Sequence, residues 1–122
     1  MSSAVRVLVV DDDDSIREFV GLALSEEGYE VLSAPHGAAA LDMIGELQPD
    51  LILLDMRTPI MDGWQFSRAY RQMPGPHAPI IVFTATRDAA DSAAQISADG
   101  YLAKPFDLDD LIALVGQHTG QR

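Results

Sequence analysis

Short apolar runs alternate along this sequence with segments whose apolar residues recur at helical spacing. The third and fourth runs, and the first run from Val7 onward, are continuously apolar, which is typical of strands that a parallel sheet buries on both faces. The chain is therefore expected to contain five strands: Val5–Val10, Val31–Ala34, Leu51–Leu54, Ile80–Phe83 and Tyr101–Ala103.

Five helices are predicted between and after these strands. The first has its apolar residues on one face; Asp14 or Ser15 caps its start, and Glu18 completes a capping box if Ser15 is the cap. Gly28 supplies its left-handed end. The apolar residues of the first helix are Ile16, Phe19, Val20, Ala23 and Leu24. The later helices are marked by Leu41, Ile44 and Leu47 or Gln48, weakened by Gly45; by Phe66, Ala69, Tyr70 and Met73, ending before Pro74; by Ala89–Ile96; and by Leu108, Leu111, Ile112 and Val115 after Asp107.

This alternation predicts an α/β fold, a doubly wound three-layer sandwich with right-handed crossovers. The 122 residues suit one domain, with a core from about residue 4 to 118. The hydrophobic share of 48% is enough for a core, which argues against disorder. No signal peptide is apparent, and no stretch approaches the roughly 20 apolar residues that span a bilayer. We expect a soluble, cytoplasmic protein.

Charge and residue usage exclude several classes of function. The net charge of −11 repels phosphate backbones and anionic lipids, so direct binding to nucleic acid or membrane is not expected. The absence of cysteine excludes disulfides and thiolate chemistry. His36, His77 and His118 are scattered and form no ligand pair or triad. No phosphate-binding P-loop is present, and the first turn has too few glycines for a dinucleotide fingerprint.

Polar residues follow the apolar runs at the edge where parallel sheets bind ligands. Asp11 and Asp12 follow the first strand, and Asp55 follows the third. Thr84 follows the fourth strand, and Lys104 follows the fifth. Three neighbouring carboxylates need a hard cation, and oxygen ligands alone indicate Mg²⁺, with Mn²⁺ as a substitute. A hydroxyl and an ammonium group facing them suit a phosphoryl group, so a Mg²⁺-assisted phosphoryl site is predicted.

Each of these residues also has a simpler interpretation. Asp13 and Asp14 fit helix-capping or first-turn positions, where the helix dipole favours acidic side chains. Taken singly, the site residues resemble loop carboxylates, a turn threonine and a surface lysine; their occurrence together at one edge favours the site. Spacing alone assigns no role to Thr58, Thr86, Arg57 or Tyr101, and an aromatic residue at position 101 is more typical of a core.

Four segments resemble the response-regulator receiver domains of bacterial two-component signalling, over nearly the whole chain. They are Val7-Leu8-Val9-Val10-Asp11-Asp12, the stretch from Leu51 through Asp55 to Gly63, Phe83-Thr84-Ala85, and Gly100-Tyr101-Leu102-Ala103-Lys104-Pro105-Phe106. Any one segment alone is weak evidence for the resemblance, but all four in this order are strongly specific for these receiver domains. The resemblance implies a flavodoxin-like strand order of 2-1-3-4-5 and a cis Lys104–Pro105 bond.

The resemblance also implies roles for single residues. Asp55 would be phosphorylated by a phosphohistidine on a sensor histidine kinase or a histidine phosphotransfer protein. Asp12 would bind Mg²⁺ directly and Asp11 through water, with Asp55 and the backbone carbonyl of Arg57 as the other protein ligands. Lys104 and Thr84 would hold the phosphoryl oxygens. Thr84 would move together with Tyr101, which reshapes the face built from the fourth helix, fifth strand and fifth helix.

Two positions depart from the family pattern, and two other classes of protein compete. Thr58 stands where methionine is usual, and Arg57 occupies a variable position thought to tune the phosphoryl lifetime. A haloacid-dehalogenase-type phosphatase would carry a second aspartate where Arg57 stands. A pseudo-receiver, an interaction module that is never phosphorylated, would not need the full set of site residues. We expect a phosphoacceptor that assists only its own phosphorylation and dephosphorylation, and no enzyme of wider action.

The sequence also carries an expectation about architecture and partners. Residues 1–122 are expected to form a single receiver domain with no output domain. Met1 and the short tail favour a single-domain regulator, and the receiver part of a longer regulator or hybrid kinase is the alternative. We expect a monomer or a weak, phosphorylation-dependent dimer that acts on a downstream protein target. The sequence names neither that target nor the kinase.

Overall fold

The structure is a computed structural model that describes residues 4–85 and 87–120. In these residues five strands alternate with five helices, as the sequence predicts. The strands are β1 (Arg6–Val10), β2 (Glu30–Ala34), β3 (Leu51–Leu54), β4 (Ile80–Ala85) and β5 (Gly100–Lys104). The helices are α1 (Asp14–Glu26), α2 (Gly37–Ile44), α3 (Gly63–Gln72), α4 (Ala89–Gln95) and α5 (Leu108–Thr119).

The strands form one parallel sheet in the order β2-β1-β3-β4-β5. This order confirms the doubly wound, flavodoxin-like α/β fold. Val10 pairs with Ala34 on one side and with Leu54 on the other, so β1, β2 and β3 end at the same edge. The residues that follow these strands are therefore placed side by side.

Two apolar clusters lie on opposite faces of the sheet, because successive strand residues point to opposite sides. Leu8 and Leu54 belong to the face covered by α2, α3 and α4. Val9 and Leu53 belong to the face covered by α1 and α5. Each large side chain buried in this way contributes about 1.5–3 kcal/mol to folding. The two cores therefore cover both faces of the sheet beneath its carboxyl edge.

The helix ends differ in places from the sequence prediction. Asp13 caps α1, because its Oδ1 accepts hydrogen bonds from the backbone amides of Ser15 and Ile16 at 2.9 and 3.2 Å. Asp14 lies in the first turn, so the interpretation of these two residues as capping or first-turn residues is confirmed, whereas neither Asp14 nor Ser15 is the cap. Gly28 adopts φ 95° after α1, which confirms the predicted left-handed end. Gly45 ends α2 instead of weakening it, so Leu47 and Gln48 lie outside that helix.

β4 and β5 run further than predicted. Thr84 pairs with Ala103, and Ala85 pairs with Lys104. Thr84 and Lys104 are therefore residues of the strands themselves, which ties their backbones to the sheet. In the part of the chain that the structure describes, no helix combines the length and the apolar character needed to cross a membrane.

Candidate functional site

Two strand pairings place Asp11 and Asp55 next to each other. The amide of Asp55 donates to the carbonyl oxygen of Val10 at 2.9 Å, and the amide of Asp11 donates to that of Ala34 at 3.1 Å. Both residues thus continue the sheet hydrogen bonding by one step beyond β3 and β1. Their positions follow from backbone pairing and depend little on side-chain packing.

Three carboxylates gather at this edge, as predicted. One oxygen from each of Asp11, Asp12 and Asp55 lies within 4.8 Å of the others. Asp11 and Asp55 are only 1% and 6% exposed, whereas Asp12 is exposed to solvent. The cluster therefore has two buried members and one that faces an incoming ligand.

Lys104 and Thr84 complete the predicted group of polar side chains. The Lys104 ammonium is 2.5 Å from Oδ2 of Asp11 and 3.5 Å from Oδ2 of Asp55, and it lies over the Phe83 ring at 4.7 Å. The Thr84 hydroxyl donates to Oδ1 of Asp55 at 3.1 Å. Asp55 thus contacts both a neutral donor and a cation.

The electrostatics of the site suit a divalent cation. Burial raises the pKa of Asp11, and the hydrogen bond from Lys104 opposes that shift, while the nearby Asp55 charge adds to it. Three ionised carboxylates and one ammonium sum to a charge of −2 (−3 + 1 = −2), which a divalent cation would balance. Because all the donors are oxygen atoms, the residues fit a hard cation such as Mg²⁺.

Arg57 has its backbone at the site and its side chain elsewhere. Its amide donates to Oδ1 of Asp55 at 3.2 Å. Its guanidinium lies over the Trp64 ring, 5.1 Å from the centroid, and Nη2 is 3.5 Å from Oδ2 of Asp88. This guanidinium therefore pairs with Asp88 and not with the three clustered carboxylates of Asp11, Asp12 and Asp55. The role of the Arg57 carbonyl as a metal ligand stays a prediction.

The loop after Asp55 is fixed by close contacts. Thr58, at the position where methionine is usual in the family, is buried and donates from Oγ1 to the carbonyl of Met61 at 2.7 Å. Gly63 packs so closely that a Cβ there would lie 2.8 Å from the Met56 Cα, so only glycine fits. The Lys104–Pro105 bond is cis, as the resemblance implies.

Tyr101 does not lie in the core. It is 51% exposed on β5, so the expectation that an aromatic at this position is a core residue is wrong. Its role in switching stays a prediction. Thr86, to which spacing assigned no role, and Met1 lie outside the described residues.

Sequence reasoning missed two contributions to the site. Arg17 donates from Nη1 to the carbonyl oxygen of Asp11 at 2.7 Å and pairs with Asp14, which braces the start of α1 against the cluster. Ile16 and Phe19 of α1 line a cavity of about 540 Å³ together with Asp55. The sequence signal for the Arg17 contacts was its position three residues after Asp14, where oppositely charged side chains of a helix pair. Helical periodicity placed Ile16 and Phe19 on the apolar face of the first helix and gave no signal that they line this cavity.

Comparison with known proteins agrees with this geometry. The family model for the response regulator receiver domain matches residues 7–116. The response regulator MprA of Mycobacterium tuberculosis is 43% identical over 112 residues, which are 90% of this chain and 48% of that protein. The chain therefore spans about half the length of the curated relatives it matches.

Solved structures show the same fold. The chemotaxis response regulator CheY4 of Vibrio cholerae superposes with a TM-score of 0.85 at 31% identity, covering 94% of this chain and 98% of that one. The receiver domain of the Francisella response regulator 1452 superposes with a TM-score of 0.84 at 30% identity, covering 95% and 97%.

Proposed function

The chain belongs to the response regulator receiver domain family, whose members are phosphorylatable signalling switches, and we propose that Asp55 is its phosphoacceptor. The observation that carries this proposal is the position of one buried carboxylate between two kinds of partner. Thr84 and Lys104 contact Asp55 from the β4–β5 side, and Asp11 and Asp12 lie beside it. No other arrangement among the described residues combines these groups around an aspartate.

The proposed reaction transfers a phosphoryl group from a phosphohistidine to Asp55. An oxygen of the Asp55 carboxylate forms the new O–P bond, the N–P bond breaks, and the imidazole keeps the electron pair. Lys104 and Thr84 would neutralise and hydrogen-bond the phosphoryl oxygens, on which charge is spread during transfer. The chain would assist only this step and the later hydrolysis of its own aspartyl phosphate, and no other substrate is proposed.

Asp11, Asp12, Asp55 and the backbone carbonyl of Arg57 would hold the Mg²⁺ ion, with Mn²⁺ as a substitute. The cation, when bound, would neutralise charge on the carboxylates and the phosphoryl oxygens. Asp12 suits direct coordination because it is the exposed member of the cluster. Asp11 suits an indirect contact because Lys104 already engages its Oδ2.

Receiver domains of response regulators interact with histidine kinases or phosphotransfer proteins. For this chain we propose such a donor, a downstream protein target, and either a monomer or a weak, phosphorylation-dependent dimer. Movement of Thr84 toward the phosphoryl group would be coupled to Tyr101 turning inward from its exposed position. A single-domain arrangement and a cytoplasmic location remain predictions from the sequence.

The test is phosphorylation by a small donor. The protein, given acetyl phosphate and Mg²⁺ without a kinase, should gain one phosphoryl group by mass spectrometry, and chelator should prevent it. Asp55→Asn should abolish the gain, whereas Asp42→Asn, a change at an exposed aspartate on α2, should leave it intact. Equal labelling of the Asp55→Asn variant would show that the acceptor is wrong. Absence of labelling in the wild-type protein would favour the pseudo-receiver.

A further inference from the structure

The Arg57 side chain takes part in contacts that reach both ends of helix α4. Its guanidinium stacks on Trp64, and it pairs with Asp88, the residue immediately before α4. The Trp64 indole Nε1 donates to Oε1 of Gln95, the last residue of α4, at 2.7 Å. These three contacts, here called the α4 clamp, connect the loop after Asp55 to the start and the end of one helix.

The ion pair is the weak contact of the clamp. The side chains of Arg57 and Asp88 are 64% and 38% exposed, and their charged atoms are 3.5 Å apart. Water screens such a pair strongly, so it contributes little to stability and breaks at low cost. Stacking on Trp64 does not need the Asp88 carboxylate. Loss of the ion pair would therefore let the guanidinium shift over the Trp64 ring without leaving it.

Arg57 also borders the place where new charge would arrive. Arg57, Asp55, Thr84 and Lys104 line the same cavity. A phosphoryl group on Asp55 would carry a charge of about −1.5 to −2 and three acceptor oxygens. A guanidinium binds such a group with two parallel hydrogen bonds, which makes it a stronger partner than one exposed carboxylate.

We propose that Arg57 exchanges Asp88 for the phosphoryl group on Asp55, and that Trp64 and Asp88 are the residues that position Arg57 for this exchange. The inference rests on the proposed function, because it requires Asp55 to be the acceptor. The exchange releases the start of α4 from the acceptor loop. The hydrogen bond from Trp64 to Gln95 keeps the end of α4 attached, so α4 pivots about its last turn.

Thermodynamic linkage makes the effect of the α4 clamp reciprocal. Phosphorylation of Asp55 releases the start of α4 and so raises the affinity of a partner that binds α4 in its released position. Binding of that partner favours the phosphorylated form by the same factor. Asp88 holds Arg57 in the unmodified protein, and Arg57 couples the charge on residue 55 to the position of α4.

The first experiment uses the unmodified protein. Trp64 is the single tryptophan of the chain, so intrinsic fluorescence reports on the clamp directly. Asp88→Asn is compared with Asp91→Asn, which removes the same charge in the first turn of α4. Asp88 makes no side-chain capping bond, so its substitution removes the ion pair without removing a cap.

Asp88→Asn should change the Trp64 emission and speed amide hydrogen exchange at the start of α4 by about threefold or more, and Asp91→Asn should do neither. In an Arg57→Ala background, Asp88→Asn should have no further effect, because Asp88 acts through Arg57. Equal effects of the two asparagine variants, or an undiminished Asp88 effect without Arg57, would overturn the clamp.

The second experiment adds acetyl phosphate and Mg²⁺, with mass spectrometry to count phosphoryl groups. Phosphorylated wild type should show the Trp64 emission of unmodified Asp88→Asn, and phosphorylated Arg57→Ala should show no change. A wild-type protein that is phosphorylated on Asp55 with unaltered emission refutes the exchange alone. A protein that gains no phosphoryl group refutes the proposed function, and the exchange falls with it.

Discussion

Replacing Asp12 by asparagine should raise the melting temperature of the metal-free protein and lower it in Mg²⁺. Asp12 is the exposed member of the carboxylate cluster, and its charge repels both Asp11 and Asp55. The same charge is needed when a cation binds. The substitution should therefore have opposite effects without and with Mg²⁺. Asparagine is used because it keeps the size of the side chain and removes only its charge.

The magnitude follows from the 4.8 Å limit on the distances between the three carboxylates. At that separation a like-charged pair repels by about 0.9 kcal/mol in a medium like water and by about 3.5 kcal/mol at an effective dielectric constant of 20. Asp12 is exposed, so the lower value applies to its two pairs. Attraction to Lys104 and screening by salt reduce the sum to about 0.5–1 kcal/mol. This gain corresponds to about 2–5 °C for a domain of this size.

In Mg²⁺ the wild-type protein gains stability that the variant lacks. At ten times the dissociation constant, a ligand that binds only the folded state adds about 1.4 kcal/mol, or about 4–7 °C. Thermal melts in chelator and in millimolar Mg²⁺ measure both effects. Asp42→Asn is the matched control for loss of one negative charge from the surface. The clustered-carboxylate account fails if Asp12→Asn melts below both the wild type and this control in chelator.

Three further predictions concern single residues. Ile60 is a β-branched residue in the left-handed region, with φ 68° and 78% of its surface exposed. Ile60→Gly should therefore raise the free energy of unfolding in urea by about 0.5–1 kcal/mol, whereas Ile60→Val should give no gain. Lys104→Met removes the cation beside Asp11 and Asp55 and should lower metal-free stability by about 1–3 kcal/mol. Loss of this positive charge should also tighten Mg²⁺ binding in a titration, and weaker Mg²⁺ binding would contradict this account. The pKa of Asp11 is raised in the folded state, so the unfolded state releases this proton at lower pH than the folded state does. Metal-free stability should therefore fall as pH rises from 3.8, the ordinary pKa of the group, through the folded pKa. Thermal melts in chelator should show this fall for the wild type and not for Asp11→Asn, and parallel curves for the two proteins would refute it.

Sequence patterns predicted those parts of the molecule that depend on backbone pairing. The runs Leu51–Leu54 and Ile80–Phe83 are apolar because both faces of their strands are buried, so the order of elements could be predicted from the pattern of apolar runs along the chain. Because parallel strands end at one edge, the convergence of Asp11 and Asp55 followed from where those runs stop. Pairing fixes these positions without reference to any rotamer.

The features that escaped prediction depend on competition between neighbouring side chains. Asp13, Asp14 and Ser15 are all good helix caps, and the sequence left open which of them caps α1; in the structure it is Asp13. The Arg57 side chain lines the same cavity as Asp55, yet it pairs with Asp88, which is 31 residues away in sequence. Trp64 contacts the Arg57 guanidinium with its ring and donates a hydrogen bond to Gln95, and no sequence pattern indicates either contact.

The four consecutive aspartates have one further consequence, which concerns the length of the run. Asp11 contacts Lys104, Asp12 faces the cation site, Asp13 caps α1, and Asp14 pairs with Arg17. Because the four residues are identical, deleting any one of them produces the same shortened protein, with three carboxylates for four positions. Strand pairing fixes the first position, the helix cap fixes the third, and the ion pair with Arg17 fixes the fourth. The deletion therefore removes the exposed carboxylate at the cation site, whichever codon is lost.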